Sequence, residues 1–154
     1  APENPYPAAL NDAIAVYLWL LKNNYKHIII AGDSAGGGLA MATLLKLRDD
    51  GLELPLAGVF LSPWLDLRST GDSRWKLAHK DPMLKPNMSN IYTNYYAPGM
   101  DLTNPYISPY YADPLGLPPI YIQVSDSELP LDDSTRFEKN AKAAGVDVKL
   151  EIWR

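Results

Sequence analysis

The sequence contains no cysteine, so disulfides and thiolate metal sites are excluded. A reducing compartment is allowed, and the expected location is cytoplasmic. An excess of positive charge is also missing: 14 Lys and Arg face 18 Asp and Glu, for a net charge of −4. Phosphate binding needs clustered Lys and Arg, so a nucleic-acid surface is not expected. Long hydrophobic runs are absent. The longest, Ile28–Ala31 and Leu39–Leu45, fall well short of the roughly 20 residues of a membrane span. No signal peptide, internal repeat or low-complexity tract stands out. What is there is an ordinary globular composition, 47% hydrophobic and 21% charged over 154 residues, enough for one domain with a sizeable core.

Along the chain, Pro5 and Pro7 precede a helix expected over about Ala8–Asn23, with Leu10, Ile14, Tyr17, Leu18 and Leu21 on one apolar face. His27–Ala31 is a β-branched run without alternation, the pattern of a parallel strand buried on both faces. Gly32 turns the chain into a second helix, about Ala35–Asp49, whose Leu39–Leu45 stretch is apolar nearly all round. A strand at Gly58–Leu61 stops at Ser62-Pro63. The segment Trp64–Leu117 is rich in Pro, Tyr, Asn and Asp, with helical periodicity only around Lys76–Leu84 and Met88–Tyr96; a stretch this long between strands reads as an inserted functional element. A third strand at Ile120–Val124 leads to a helix over about Asp132–Ala144, with Asp132 and Asp133 at the dipole-favoured end and Gly145 as the stop. The alternating strand Val146–Ile152 reads as an edge strand or one half exposed. The whole pattern is α/β with a parallel sheet.

Gly32-Asp33-Ser34-Ala35-Gly36 matches G-x-S-x-G and stands between a buried strand and a helix, the context that motif requires. The serine must sit on a sharp strand-to-helix turn that projects its hydroxyl, with small residues two positions either side. Gly32 and Gly36 meet that demand, and Ala35 offers a backbone N–H as an oxyanion donor. A plain Gly-rich turn is the bland alternative. A phosphate loop is the functional one, but no Lys follows the glycines and the pattern is not G-x-G-x-x-G.

A serine nucleophile needs a histidine base oriented by a carboxylate, in chain order Ser, acid, His. The acid is expected just past a later strand, where Asp126 and Glu128 are the candidates; Asp132 and Asp133 are accounted for by the helix dipole. Neither histidine fits. His27 starts a strand at the sheet edge opposite Ser34, and His79 precedes the acid. The base is therefore expected outside this chain. The chain begins at Ala1-Pro2-Glu3 without an initiator methionine and stops at Trp153-Arg154, straight after an apolar alternation, so it is expected to be a piece of a longer protein.

At these residues the chain resembles the hormone-sensitive-lipase family of α/β-hydrolases. Ala1–Leu10 is similar to the tail of that family's Tyr-Arg-Leu-Ala-Pro-Glu segment, and Gly32–Gly37 to its elbow. Ser62-Pro63-Trp64-Leu65-Asp66-Leu67 and Asn104-Pro105-Tyr106-Ile107-Ser108-Pro109 resemble two further recurrent segments. The resemblance implies the C-terminal half of an α/β-hydrolase sheet, with a cap-like insertion over about 64–117 contributing to an acyl pocket. Trp64, Met83 and tyrosines from Tyr92 to Tyr111 are candidate lining residues. Counting back from Ala144-Gly145-Val146 in the family's register places the acid at Glu128, where the family more often has Asp. By the same register the histidine lies beyond Arg154, and a His-Gly-Gly oxyanion loop with its strands precedes Ala1. The implied activity is carboxylic-ester hydrolysis by an acyl-enzyme route, as an esterase or lipase without cofactor or metal, on a small apolar ester. Among partners, a homodimer is compatible with the sequence, which does not itself reveal the oligomeric state. Residues 1–154 alone are expected to be inactive. A non-catalytic small-ligand binder is the alternative, since plant hormone receptors resembling this family lost the histidine.

Overall fold

The unalternating apolar runs pair side by side. In the computed structural model, which describes residues 1–154, they form a four-stranded, all-parallel sheet in the order β1-β2-β3-β4, from β1 (Ile29–Asp33), β2 (Ala57–Leu61), β3 (Ile120–Ser125) and β4 (Val148–Trp153). Parallel neighbours need crossovers. These are α2 (Ala35–Asp49) between β1 and β2, the insertion between β2 and β3, and α5 (Leu131–Ala143) between β3 and β4. A first helix, α1 (Ala8–Lys22), packs on α2.

The second helix is the packed element expected from its composition. Met41, Leu44, Leu45 and Leu47 are fully buried, and the first three share one core with Phe60, Ile122, Phe137 and Val148. The strand reading at β1 needs correction. The strand begins two residues later than expected, at Ile29, and its residues alternate between exposed and half-buried. Ile29 is 57% exposed, and β1 is an edge of the four-stranded sheet that residues 1–154 form. The other edge is β4, as its alternation predicted.

In the insertion, α4 (Met88–Tyr96) forms as expected, but the Lys76–Leu84 periodicity yields only a single turn, α3 (Ser73–Lys76). The helix cannot continue past Asp81-Pro82. Asp81 Oδ1 accepts the N–H groups of Met83 (2.9 Å) and Leu84 (2.8 Å), a local turn that competes with the helical ladder. A short 3-10 turn, Pro109–Tyr111, packs on α2 and α5 before β3.

Buried carboxylates tie this insertion to the sheet layer. Asp133 Oδ2 accepts the N–H groups of Leu65 (2.8 Å) and Asp66 (2.9 Å). Burial pushes the Asp133 carboxyl up to about 7, against the pull of those two donors. Asp66 is itself fully buried and accepts from the N–H groups of Arg68 and Thr70 and from the Thr70 hydroxyl, with Arg136 at 3.6 Å. The helix-dipole explanation of Asp132 and Asp133 was thus incomplete. Both sit in the first turn of α5, and both also bond the insertion, Asp132 through the Ser73 N–H at 2.8 Å.

Candidate active site

In a parallel sheet all strand C-termini lie on one edge. The register aligns Asp33 with Leu61 and Leu61 with Gln123, so Ser34, Ser62 and the loop after β3 share that edge. Strands β1 and β3 are two spacings apart, about 10 Å.

Ser34 is the N-cap of α2 and adopts φ 54, ψ −118, a conformation that a non-glycine residue rarely takes. Such strain costs roughly 1–3 kcal/mol and persists only where the surroundings over-determine it. Here they do. The Ser34 N–H donates to Leu61 O (2.9 Å), and its carbonyl accepts from Gly38 N–H (3.1 Å) and Trp64 N–H (3.0 Å). The turn is possible because residue 32 lacks a side chain: a Cβ there would lie 2.2 Å from Gly36 O. Gly37 and Gly38 bring the helix against Pro63 and Trp64, whose atoms would stand 2.8 and 2.4 Å from added Cβ atoms. Gly36 differs from expectation. Among residues 1–154 nothing stands within 4 Å of its Cβ position, so of the two positions flanking Ser34 at −2 and +2 only Gly32 is sterically constrained by them. Ala35 opens α2, where a backbone N–H has no acceptor one turn earlier.

Ser34 is half-buried on the wall of a cavity of about 520 Å³. Leu39, Trp64, Met88, Tyr92, Tyr96 and Ile107 make much of its apolar lining. Met83 does not contribute and is 75% exposed; Tyr106, Tyr110 and Tyr111 also point elsewhere. The Tyr106 hydroxyl donates to Asp49 (2.7 Å), and burial together with that carboxylate pushes it up to about 12. Arg74, Lys85 and Asp133 are charged groups on the cavity lining, and the Arg74 guanidinium donates to Pro86 O and Ser89 Oγ.

Glu128 lies on the loop between β3 and α5, and its Oε2 is buried without a hydrogen-bond partner. It lines a smaller hollow of about 190 Å³ with Leu61, Ser62, Gln123 and Trp153. Asp126 is placed differently: its Oδ1 accepts the Ser127 hydroxyl (2.9 Å), and its N–H donates to Trp153 O (2.8 Å). Ser34 and Glu128 therefore share a sheet edge but face separate hollows, and no hydrogen bond joins them. His27 is exposed ahead of β1, and His79 is exposed in the turn after α3. The bonds made by three buried aspartates, Asp66, Asp81 and Asp133, are not evident from the sequence. Asp133 bonds Leu65 and Asp66, and Asp81 bonds Leu129 as well as its neighbours Met83 and Leu84. Asp66 lies 3.6 Å from Arg136 as well as bonding its neighbours Arg68 and Thr70. No helix is long and apolar enough to cross a membrane.

Comparison with known proteins agrees with this geometry. The family described as alpha/beta hydrolase fold matches residues 1–154. An acetyl-hydrolase of Streptomyces hygroscopicus is 41% identical over 154 residues, covering 99% of this chain and 52% of that protein. An esterase of Acinetobacter venetianus is 37% identical over 160 residues, with the same coverage of 99% and 52%. Among solved structures, an esterase from the bacterial hormone-sensitive lipase family superposes with a TM-score of 0.97 at 46% identity, covering 99% of this chain and 52% of that one. A hormone-sensitive lipase from a metagenome library gives 0.95 at 48% identity, again with 99% and 52% covered. The chain spans about half the length of the relatives it matches. With its parallel sheet, its strained serine turn and these relatives, the chain belongs to the alpha/beta hydrolase fold family, in the company of the hormone-sensitive-lipase esterases.

Proposed function

We propose that the whole protein is a carboxylic-ester hydrolase in which Ser34 is the nucleophile. The observation that carries this reading is the Ser34 turn itself. A strained serine, fixed by three backbone hydrogen bonds, stands on the wall of an apolar cavity. In the proposed reaction the Ser34 hydroxyl attacks the ester carbonyl while a histidine from outside residues 1–154 takes its proton. Glu128 orients that histidine and stabilises its cation. Support for Glu128 over Asp126 comes from its buried, unpartnered Oε2, whereas Asp126 already accepts the Ser127 hydroxyl. The two-spacing separation of β1 and β3 leaves room for an imidazole between them. The Ala35 N–H stabilises the oxyanion with a further donor from outside this chain. The tetrahedral intermediate collapses as the histidine returns the proton to the ester oxygen, so the C–O bond breaks and the alcohol leaves. Water, deprotonated by the same histidine, then attacks the acyl-Ser34 ester and releases the carboxylic acid and the Ser34 hydroxyl.

The apolar cavity favours a small apolar acyl or alcohol group, and the relatives' names make acetyl esters the first substrates to test. Residues 64–117 are proposed as the part of a cap that shapes this cavity, which lies largely between them and α2. Cytoplasmic residence is proposed on the cysteine-free composition. A homodimer is proposed on the exposed Ile152 and Trp153 of the outer strand. The test is hydrolysis of p-nitrophenyl acetate by the whole protein. Ser34→Ala is expected to abolish turnover, and full activity in that variant would remove the reading.

A further inference from the structure

We propose that Asp81, in the insertion, is a positioning residue for Glu128 and acts through the peptide bond between Glu128 and Leu129. The inference rests on the reading of Glu128 as the triad acid. Asp81 is 3% exposed and 47 positions before Glu128 in the chain, yet its Oδ2 accepts the Leu129 N–H at 3.0 Å. A peptide unit is planar, so that N–H, the Glu128 carbonyl and the Glu128 Cα move as one body. Anchoring the N–H therefore fixes the point from which the Glu128 side chain departs.

The other backbone tethers of Glu128 are long. Its N–H reaches Ser125 O at 3.4 Å, and its carbonyl accepts from Leu131 N–H at 3.3 Å. Both exceed the usual range of about 2.7–3.2 Å. The Asp81 bond is the shortest constraint on that peptide. A second group from the insertion holds the far side of the same residue: Ser73 Oγ donates to Leu129 O at 2.7 Å and accepts Asp132 N–H at 3.0 Å. Leu129 is thus gripped at both its N–H and its carbonyl by the insertion.

Asp81 is built to carry this load. Oδ1 takes the N–H groups of Met83 and Leu84, and Oδ2 takes that of Leu129. Burial alone would raise its carboxyl, but these three donors and nearby Lys85 hold it below its ordinary value, so it remains an acceptor on both oxygens. Leu84 and Leu129 both line the Ser34 cavity. One carboxylate therefore ties the cavity wall to the loop bearing the acid, which gives the insertion a mechanical role beyond covering the substrate.

The test uses the whole protein. Asp81→Asn keeps the shape and one accepting oxygen for Met83 and Leu84, but it turns an NH2 donor toward the Leu129 N–H. It is expected to lower kcat on p-nitrophenyl acetate roughly tenfold to hundredfold, as a displacement of about 1 Å does, with KM held within about twofold. In a Glu128→Gln background the same substitution should add less than about twofold, because the group it positions is already disabled. Ser73→Ala, which frees the Leu129 carbonyl instead, provides the second arm should Asp81→Asn not fold, with the same dependence on Glu128. An unchanged kcat in a folded Asp81→Asn or Ser73→Ala protein overturns the proposal. So does an equal loss with and without Glu128. If Glu128→Gln alone leaves kcat intact, the assignment of the acid fails first, and that outcome is distinct.

Discussion

Replacing Gly32 by Ala is the sharpest test of the turn geometry, because the added Cβ meets backbone and not a movable side chain. It would lie 2.2 Å from Gly36 O, 2.5 Å from Gly36 C and 2.7 Å from Gly37 N. Ordinary contact begins near 3.4 Å, so the strand end and the first turn of α2 must separate by about 1 Å. Overpacking of this kind typically costs about 1–3 kcal/mol, and the backbone contact puts this site at the upper end. The displaced atoms flank Ser34 on both sides, and a misplacement of about 1 Å corresponds to roughly a hundredfold loss in rate. Gly36→Ala is the internal control. Among residues 1–154 its Cβ position is open, so the added methyl meets none of these atoms. The assay compares kcat on p-nitrophenyl acetate and the thermal midpoint for both variants of the whole protein. Gly32→Ala should lose activity and several degrees of Tm, while Gly36→Ala holds Tm. A Gly32→Ala protein with unaltered kcat and Tm would refute the reasoning.

Three further outcomes are expected. Asp133 has a carboxyl near 7 in the fold against about 3.9 when unfolded, so its neutral form stabilises the protein fully below about pH 4, and that contribution is lost as pH rises through 7. Asp133→Asn keeps an oxygen for both N–H donors, so its Tm should gain on the parent protein's between pH 5 and 8; parallel curves would contradict this. Leu44→Ala empties a fully buried site and should cost about 2–5 kcal/mol by denaturant titration, with a loss near zero showing that the core is not packed as described. Residues 1–154 alone should give no ester turnover that disappears on Ser34→Ala, since both histidines are exposed and neither lines the Ser34 cavity; such turnover would show that the base lies within them.

The elements most legible in the sequence were those fixed by local pattern. Gly58–Leu61 and Ile120–Val124 fall in β2 and β3 as their apolar runs predict, though each alternates buried with half-buried residues and Leu61 is exposed. The G-x-S-x-G turn is recognisable because strand, serine and helix follow one another directly. The burial of β1 was not legible in the same way, since a strand's run does not reveal what lies beside it. Nor were the buried carboxylates. Asp133 looked like a first-turn residue of α5, and it is one, but its bonds to Leu65 and Asp66 span 68 and 67 positions. Asp81 falls inside the Lys76–Leu84 helical periodicity and gave no sign of Leu129, 48 positions on. Tyrosine content in the insertion suggested a lining, yet Tyr106 turns to Asp49 because a phenol beside a carboxylate at the end of α2 satisfies both groups. The proposal of Glu128 as the acid rests on register and resemblance. The structure adds the unpartnered Glu128 Oε2 beside an Asp126 that is already engaged.

The claim on which the functional account depends is that the Ser34 hydroxyl is the reacting group. Treating the whole protein with a fluorophosphonate and locating the adduct by mass spectrometry addresses it directly, because that reagent requires an activated serine. A single adduct on Ser34, absent from Ser34→Ala, is the predicted result. A whole protein that stays unlabelled, or one labelled at another residue, would contradict the account.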